Sequence, residues 1–293
     1  MMTGVDRISA LPEETKVFIL SLLPFTDAVR TSVLSRSWRH LWTFLQRFDF
    51  DLDLGEDPLS DIEDVGRILS SLRGPIHHFS LRCFLLAHRI SCVQHFLDLI
   101  FQKDGLQNLS VHCAGIVPQV RLPSFRLLED LDLKWIDIIL PSDFGGFKQL
   151  TSLKLHSVCI SQPDIQSLID GSKKLTSIEL SFERFISQED AAGEQCRLVI
   201  FNCPLLKYLK FDFGEEDVEP KIISAPCLET AYVSASTDCD KDPEEFDWVG
   251  AAALGFMEDI AHVSHLSLNF DVLMCLSLMC HTAYEFIFDN CDA

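Results

Sequence analysis

The sequence repeats a short phrase of the form L-x-x-L-x-L, in which L stands for an apolar residue and x for any residue. The phrase begins eight times, at Ile76, Leu106, Leu128, Leu150, Leu175, Leu206, Leu228 and, more weakly, Val263. Successive starts are 30, 22, 22, 25, 31, 22 and 35 residues apart. Apolar residues alternate over the last four positions, which predicts a short strand with one buried face. One repeat cannot bury its own apolar residues, so neighbouring repeats have to stack.

Several of these intervals lie in the range of about 20 to 29 residues that is typical of leucine-rich repeats. We therefore expect a curved α/β solenoid with short parallel strands, in which the chain returns along the outside between strands. Residues 92–105 and 164–174 have the pattern of return helices, and Gly171 lies where the second should end. The repeat signal fades after Asn269, so we expect residues 271–293 to form an irregular or truncated C-terminal end.

The residue between the last two apolar positions of each phrase is expected on the concave face of the solenoid. These candidate binding residues are Ser80, Ser110, Asp132, Lys154, Glu179, Lys210 and Tyr232, followed by Ser267 in the weakest phrase. Their mixture of charged, hydroxyl and aromatic groups suits recognition of a macromolecule and differs from a catalytic cluster. It remains open that they are merely solvated strand positions, because the outer residues of strands are normally polar.

The segment that precedes the repeats, residues 8–45, has the pattern of three short helices. Pro12 fits the first turn of the first helix, and Pro24 follows its end. The third helix is expected to begin at Ser35 and to carry one apolar face. That face consists of Trp38, Leu41, Trp42 and Leu45. About 40 residues cannot hide this much apolar surface internally, so we expect another protein to cover part of it.

Charge and cysteine content indicate the kind of partner and the compartment. The net charge is −20, but residues 1–48 carry six basic and four acidic residues, so they amount to +2 and the remainder to −22. The acidic remainder argues against general binding to nucleic acids or anionic membranes. No apolar run approaches the roughly 18 residues of a membrane span, and no C-x-x-C occurs among the eleven cysteines. We expect a reduced, cytoplasmic or nuclear location.

Catalytic motifs are missing from the sequence, which contains no phosphate-binding loop, dinucleotide fingerprint, H-E-x-x-H or G-x-S-x-G pattern. The best metal-ligand candidates are His262 and His265 with Cys275, Cys280 and His281 downstream, but their spacing matches no common zinc site. We therefore expect neither enzymatic activity nor a metal or cofactor. A metal-dependent enzyme built on these C-terminal residues is the least favoured alternative.

Residues 6–42, DRISALPEETKVFILSLLPFTDAVRTSVLSRSWRHLW, closely resemble the F-box of the plant-type F-box/leucine-rich-repeat family. The matching positions include Leu11-Pro12, Ile19-Leu20, Leu23-Pro24, Ser32-Val33-Leu34-Ser35 and Trp38-Arg39-x-Leu41-Trp42. The later stretches FDFD and GPIHHFSLRC are also similar to that family. Thr15-Lys16 departs from its usual apolar pattern, and no convincing C-terminal FBD-type segment is evident.

The resemblance implies a substrate-recognition subunit of an SCF-type ubiquitin ligase, without catalysis of its own. The F-box would bind an acidic Skp-type adaptor and, through it, a cullin and a RING subunit, while the solenoid binds a substrate protein. The implied adaptor-binding residues are Leu11, Pro12, Ile19, Leu20, Leu23, Pro24, Val33, Trp38, Leu41 and Trp42. A leucine-rich-repeat scaffold outside any ligase is the alternative.

The same resemblance divides the chain into four parts. An F-box occupies residues 1–48, and residues 49–75 form a linker with the first strand and helix of the solenoid. Leucine-rich repeats cover residues 76–270, and the C-terminal end covers residues 271–293.

Overall fold

The structure, a computed structural model, describes residues 8, 10–52, 58–85, 90–185, 197–213, 218–235 and 243–277. The chain divides into two compact units. Unit 1 comprises Met1–Pro118 with Phe125–Leu128, and unit 2 comprises Gln119–Ser124 with Glu129–Ala293. Among the described residues, no helix is both long enough and apolar enough to cross a membrane.

Unit 1 begins with short helices and continues into a parallel sheet. Its helices are α1 (Glu13–Ser21), α2 (Phe25–Arg30), α3 (Pro58–Ser71) and α4 (Ile90–Phe101), with 3₁₀-helices at Thr31–Val33 and Leu41–Phe44. Its strands are β1 (Arg47–Asp51), β2 (His78–Leu85) and β3 (Asn108–Gly115). The three strands pair in parallel in the order β1-β2-β3. Helices α3 and α4 occupy the two connections and pack against each other.

The third N-terminal helix expected from Ser35 is not an α-helix, so that prediction is wrong. Residues 36–40 form turns, and a 3₁₀-helix follows at Leu41–Phe44. The N–H of Trp38 donates to the Ser35 carbonyl at 3.1 Å, and the N–H of Leu41 to the Trp38 carbonyl at 3.3 Å. Such bonds to the third preceding residue give a period of three, which still places Trp38 and Leu41 on one side. Both side chains are buried, together with Leu45.

Unit 2 consists mainly of parallel strands. They are β4 (Gln119–Arg121), β5 (Asp130–Lys134), β6 (Asp137–Ile139), β7 (Ser152–Ile160), β8 (Ser177–Phe185), β9 (Arg197–Asn202), β10 (Tyr208–Phe213), β11 (Val218–Ser224), β12 (Thr230–Ala235) and β13 (His265–Leu268). Its helices are α5 (Gln162–Gly171), α6 (Pro243–Asp259) and a helix over 270–277. The main sheet has the order β5-β7-β8-β10-β12-β13. Strands β4 and β6 pair with each other, β6 also pairs with β7, and β9 pairs with β11.

All eight repeat phrases contain a strand, and each strand begins two residues after the first residue of its phrase. This confirms the strand prediction and, together with the return helices α4 and α5, is compatible with an α/β solenoid. The Ser161 side chain accepts a hydrogen bond from the N–H of Asp164 and caps α5, which ends at Gly171 as expected. The C-terminal prediction falls mostly on residues 278–293, which lie outside the described part of the chain.

The buried face of the unit 2 sheet consists of the apolar positions of the phrases. Leu153, Leu155, Ile178 and Leu180 are almost completely buried, and the same alternation continues through β10 and β12. It weakens at β13, where Leu266 leaves 46% of its surface exposed. The polar residues between these positions therefore lie together on the opposite face of the sheet.

A close backbone contact occurs between Gly146 and α5. Gly146 has a φ of +81°, a conformation that side chains rarely adopt. A Cβ atom at this position would lie 2.3 Å from the Cα of Gly171. Only glycine fits here without a shift of the backbone.

Candidate functional site

Large apolar side chains are exposed throughout the N-terminal segment of unit 1. This N-terminal apolar surface consists of Ile8, Phe18, Leu22, Leu23, Val33, Leu34 and Phe44. Phe18 and Leu22 are four residues apart at the end of α1 and therefore share one side of it. Val33 is the most exposed of them, at 87% of its surface. So many exposed apolar groups in one short segment are typical of a surface that binds another protein.

The expected adaptor-binding residues differ widely in their exposure. Those that are exposed are Pro12, Leu23, Pro24 and Val33, and those that are half-buried are Leu11, Ile19 and Trp42. Those that are buried are Leu20, Trp38 and Leu41. The buried three belong to the core that holds α1 and the 3₁₀-helix at Leu41–Phe44 together. They stabilise the surface from beneath, since their own area is not accessible to a partner.

Sequence reasoning did not include Phe18, Leu22, Leu34 and Phe44 in the adaptor-binding set. A signal for the first two was present in the sequence. Phe18 and Leu22 form an apolar pair with helical spacing on α1, whereas the buried Leu20 faces another direction. No sequence pattern distinguished Leu34 or Phe44 from core residues.

Aromatic packing fixes the N-terminal segment against the first strand of unit 1. The ring of Phe25 lies 6.2 Å from that of Trp42 and 5.6 Å from that of Phe48, both in edge-to-face geometry. Phe25 also lies 5.6 Å from Phe50 of β1. Such pairs prefer defined relative orientations, so they fix where the exposed helices sit within unit 1.

The two residues that depart from the family pattern lie in different environments. Thr15 is exposed, whereas Lys16 is only 4% exposed. The side chain of Lys16 therefore packs within unit 1, as the apolar residues usual at this position of the family would. Exposed basic side chains are present elsewhere in the segment, at Arg36 and Arg39.

The candidate substrate-binding residues of unit 2 lie side by side. They occupy matching positions on neighbouring strands, so that each is in register with the next. Along the sheet the order is Asp132, Lys154, Glu179, Lys210, Tyr232 and Ser267. These six residues, here called the polar row, cross six adjacent strands. Within unit 1, Ser80 is in register with Ser110 and with Asp49.

An ion pair lies in the middle of the polar row. Lys154 Nζ is 2.9 Å from Glu179 Oε1, and His156 Nε2 is 3.7 Å from Glu179 Oε2. The hydrogen bond to Glu179 raises the pKa of Lys154, although burial opposes it. Burial lowers the pKa of His156, and the nearby Glu179 offsets part of that effect. Glu179 therefore interacts with two neighbours, and the pair is largely neutralised within the face.

Two tyrosines lie on the β12 side of this ion pair. The rings of Tyr208 and Tyr232 are 5.6 Å apart, and Tyr232 leaves 41% of its surface exposed. Burial raises the pKa of Tyr208, and the Glu179 carboxylate raises it further. Burial also raises the pKa of Asp212, which a hydrogen bond with Ser234 partly offsets. The result is an aromatic surface beside mixed charges.

The polar face of unit 1 contains a shallow depression of about 180 Å³. It is lined by Asp49, Phe50, Asp51, Ser80, Leu81, Arg82, Ser110 and His112. Each of its carboxylates is bound by an arginine, since Arg82 donates to Asp51 at 3.1 Å and Arg47 donates to Asp49 at 3.0 Å. The depression is small, and its carboxylates already have basic partners.

The C-terminal histidines and cysteines do not converge in the described part of the chain. The His262 ring nitrogen Nε2 lies 3.1 Å from the carbonyl of Ala225, His265 is an exposed residue of β13, and Cys275 is buried. Cys280 and His281 lie outside the described residues. Within those residues, no group of three or more His, Cys, Asp or Glu side chains could hold a metal ion.

The described residues form a protein of parallel-strand repeats, preceded by a short helical segment with an exposed apolar surface. Comparison with known families shows which family has these two parts. A family model for the F-box domain matches residues 8–49, and one described as "FBD-associated F-box protein At5g56370, LRR repeats" matches residues 93–282. The chain belongs to the F-box/LRR-repeat family.

Individual relatives support this assignment. The F-box/LRR-repeat protein At3g26922 of Arabidopsis thaliana is 30% identical over 263 residues, which cover 78% of this chain and 82% of the relative. The F-box/FBD/LRR-repeat protein At1g13570 of the same plant is 32% identical over 235 residues, which cover 75% of this chain and 53% of the relative. The chain thus spans most of the first relative and about half of the second.

Proposed function

We propose that this chain is the substrate-recognition subunit of an SCF-type ubiquitin ligase. The observation that carries the proposal is the N-terminal apolar surface, which lies within the 8–49 match to the F-box domain. A Skp-type adaptor covers this surface and connects the chain to a cullin and a RING subunit. The positive balance of residues 1–48 speeds the encounter with an acidic adaptor more than it adds affinity.

The adaptor contact is proposed for the exposed and half-buried residues of the F-box segment. From the family pattern, the exposed ones are Pro12, Leu23, Pro24 and Val33, and the half-buried ones are Leu11, Ile19 and Trp42. The structure adds Phe18, Leu22, Leu34 and Phe44 as candidates because they are exposed. Leu20, Trp38 and Leu41 act indirectly, by holding the segment in shape.

The proposed mechanism is proximity. The substrate binds the polar face of the repeats through Ser80, Ser110, Asp132, Lys154, Glu179, Lys210 and Tyr232. Simultaneous adaptor binding raises the local concentration of substrate lysines near a ubiquitin-conjugating enzyme, so the chain itself needs no catalytic group. We place this activity in the cytoplasm or nucleus, with the F-box at residues 1–48, the linker at 49–75, the repeats at 76–270 and a distinct end at 271–293.

Affinity purification of the full chain under proteasome inhibition tests the proposal. We expect a Skp-type adaptor and a cullin among the recovered proteins, and we expect Leu22→Asp to lose both. Leu254→Asp serves as the matched control, because Leu254 is also an exposed leucine but lies on α6 of unit 2. Recovery of neither adaptor nor cullin with the unaltered chain would contradict the ligase function and favour a scaffold outside any ligase.

A further inference from the structure

We propose that Lys210, Tyr208 and Tyr232 form a subsite for a substrate segment that carries an acidic side chain next to an aromatic or large apolar one. The inference rests on the proposed function, because it names the class of substrate that the polar row accepts. Three features carry it: a lysine that has no ion pair within the described residues, a partly exposed tyrosine pair on the same and the neighbouring strand, and nearby carboxylates that are already paired (Glu179) or partly shielded (Asp212).

The charge of Lys210 is available to a partner. Its in-register neighbour Glu179 is already bound by Lys154 at 2.9 Å and lies 3.7 Å from His156. Within the described residues, no carboxylate oxygen lies within 4.0 Å of the Lys210 ammonium. Lys210 is also partly exposed. An incoming carboxylate can therefore form a charge-assisted hydrogen bond with it at no cost to an existing ion pair.

Asp212 lies two residues further along β10. Its carboxylate is the group that could attract a basic substrate side chain to this place instead of an acidic one. Its Oδ1 atom is shielded from solvent and has no hydrogen-bond partner in the described part of the chain. A basic side chain of a substrate cannot reach this atom without a rearrangement of the face. Burial raises the pKa of Asp212, although its hydrogen bond with Ser234 and the nearby charge of Lys210 oppose this effect. One oxygen of Asp212 is therefore closed to an incoming basic side chain, whereas the ammonium of the partly exposed Lys210 can receive an incoming carboxylate.

The tyrosine pair supplies the apolar half of the subsite. Tyr232 is in register with Lys210, and its ring packs at 5.6 Å against that of Tyr208. The exposed part of Tyr232 offers an aromatic face and a phenolic hydroxyl on the strand that neighbours Lys210. An aromatic or large apolar residue can pack on this face while the neighbouring acidic residue reaches Lys210.

The acidic net charge of the chain allows a peptide experiment to distinguish a local contact from long-range electrostatics. Residues 49–293 carry −22, which disfavours acidic partners in general and favours basic ones at long range. Acidic residues are therefore expected to be enriched in a bound peptide only if a local contact overcomes this background. A measured preference for acidic residues thus reports on the subsite and not on the overall field.

Selection from a peptide pool tests the subsite. Random heptapeptides with acetylated and amidated ends are passed over the immobilised full chain, and the retained fraction is sequenced by mass spectrometry. We expect enrichment of Asp or Glu adjacent to Phe, Tyr, Trp or Leu. For the enriched peptides, Lys210→Gln should lower the affinity about tenfold. Lys210→Glu should reverse the preference towards Lys and Arg.

Lys207→Glu is the matched control, since it makes the same charge change at an exposed lysine just before β10. This variant should retain the acidic preference. Tyr232→Ala should remove the aromatic preference and keep the acidic one. Enrichment of basic residues by the unaltered chain, or equal loss of acidic preference with Lys207→Glu, would overturn the inference.

Adaptor binding, measured on the same preparations, separates this inference from the proposed function. If the adaptor binds and no acidic preference is found, the subsite is wrong while the ligase assignment stands. If the acidic preference is found without adaptor binding, the ligase assignment fails and the subsite survives as a property of a scaffold protein.

Discussion

Two substitutions in the F-box segment should separate residues that support the adaptor surface from those that form it. Trp38 is only 3% exposed, so Trp38→Ala removes a large buried side chain and leaves a cavity. Such changes cost about 3–5 kcal/mol of unfolding free energy. A domain of ordinary stability has about 5–15 kcal/mol, so the loss should unfold a measurable fraction of unit 1 on mild warming.

Val33→Asp acts differently because Val33 is 87% exposed. We expect the unfolding free energy to change by no more than about 0.5 kcal/mol. Burying a valine under the adaptor contributes about 1.5–3 kcal/mol, and the substitution also buries a carboxylate. The dissociation constant for the adaptor should therefore rise at least about tenfold.

Circular dichroism during chemical denaturation gives the stability of both variants, and calorimetric titration with a purified Skp-type adaptor gives the affinity. Leu254→Asp should change neither quantity appreciably, since it alters an exposed residue of unit 2. Undiminished stability of Trp38→Ala would refute the assignment of Trp38 to the core. Undiminished adaptor affinity of a folded Val33→Asp variant would refute the proposed contact surface.

Two further outcomes follow from the interior of unit 2. Glu179→Gln should lower the pKa of His156 further, since this carboxylate opposes the effect of burial, and NMR titration of the imidazole measures the shift. Because the folded-state pKa of His156 is depressed, its contribution to stability is present above the unfolded value of about 6.5 and is lost as the pH falls below it. Gly146→Ala should lower the unfolding free energy by about 2 kcal/mol or more, because it forces a Cβ against α5 at a positive φ. Gly145→Ala, where a Cβ meets nothing within 4 Å, should change it far less, and equal melting temperatures for the two would contradict this account.

The strands could be predicted well because their signal is local. An apolar residue at every second position places one side of the chain in the core, and each of the eight phrases carries that pattern. The register was equally predictable, since a slip by one residue would expose Leu153 and Leu155 and bury Lys154. The alignment of Lys154 with Glu179 and of Lys210 with Tyr232 follows from the shared phrase.

The F-box segment was less predictable because its elements are short. The apolar positions of the segment around Trp38 and Leu41 fit an α-helix and a 3₁₀-helix almost equally well. The structure has turns followed by a 3₁₀-helix, because in such a short segment packing within unit 1 outweighs local helix propensity. The pattern also could not tell which apolar residues face inward. Leu20 and Leu22 are both leucines of one helical stretch, yet one is buried and the other exposed.

The sequence by itself determined the repeat, its strands and register, and membership of the F-box/LRR-repeat family, because these depend on residue type at fixed spacing. Only the tertiary structure decided that Trp38 supports the N-terminal surface while Val33 and Leu22 form it. It also decided that Glu179 pairs with Lys154 and not with Lys210, although both lysines are in register with it. The physical reason is that exposure and charge pairing depend on which side chains meet across elements, and one-dimensional spacing does not record that.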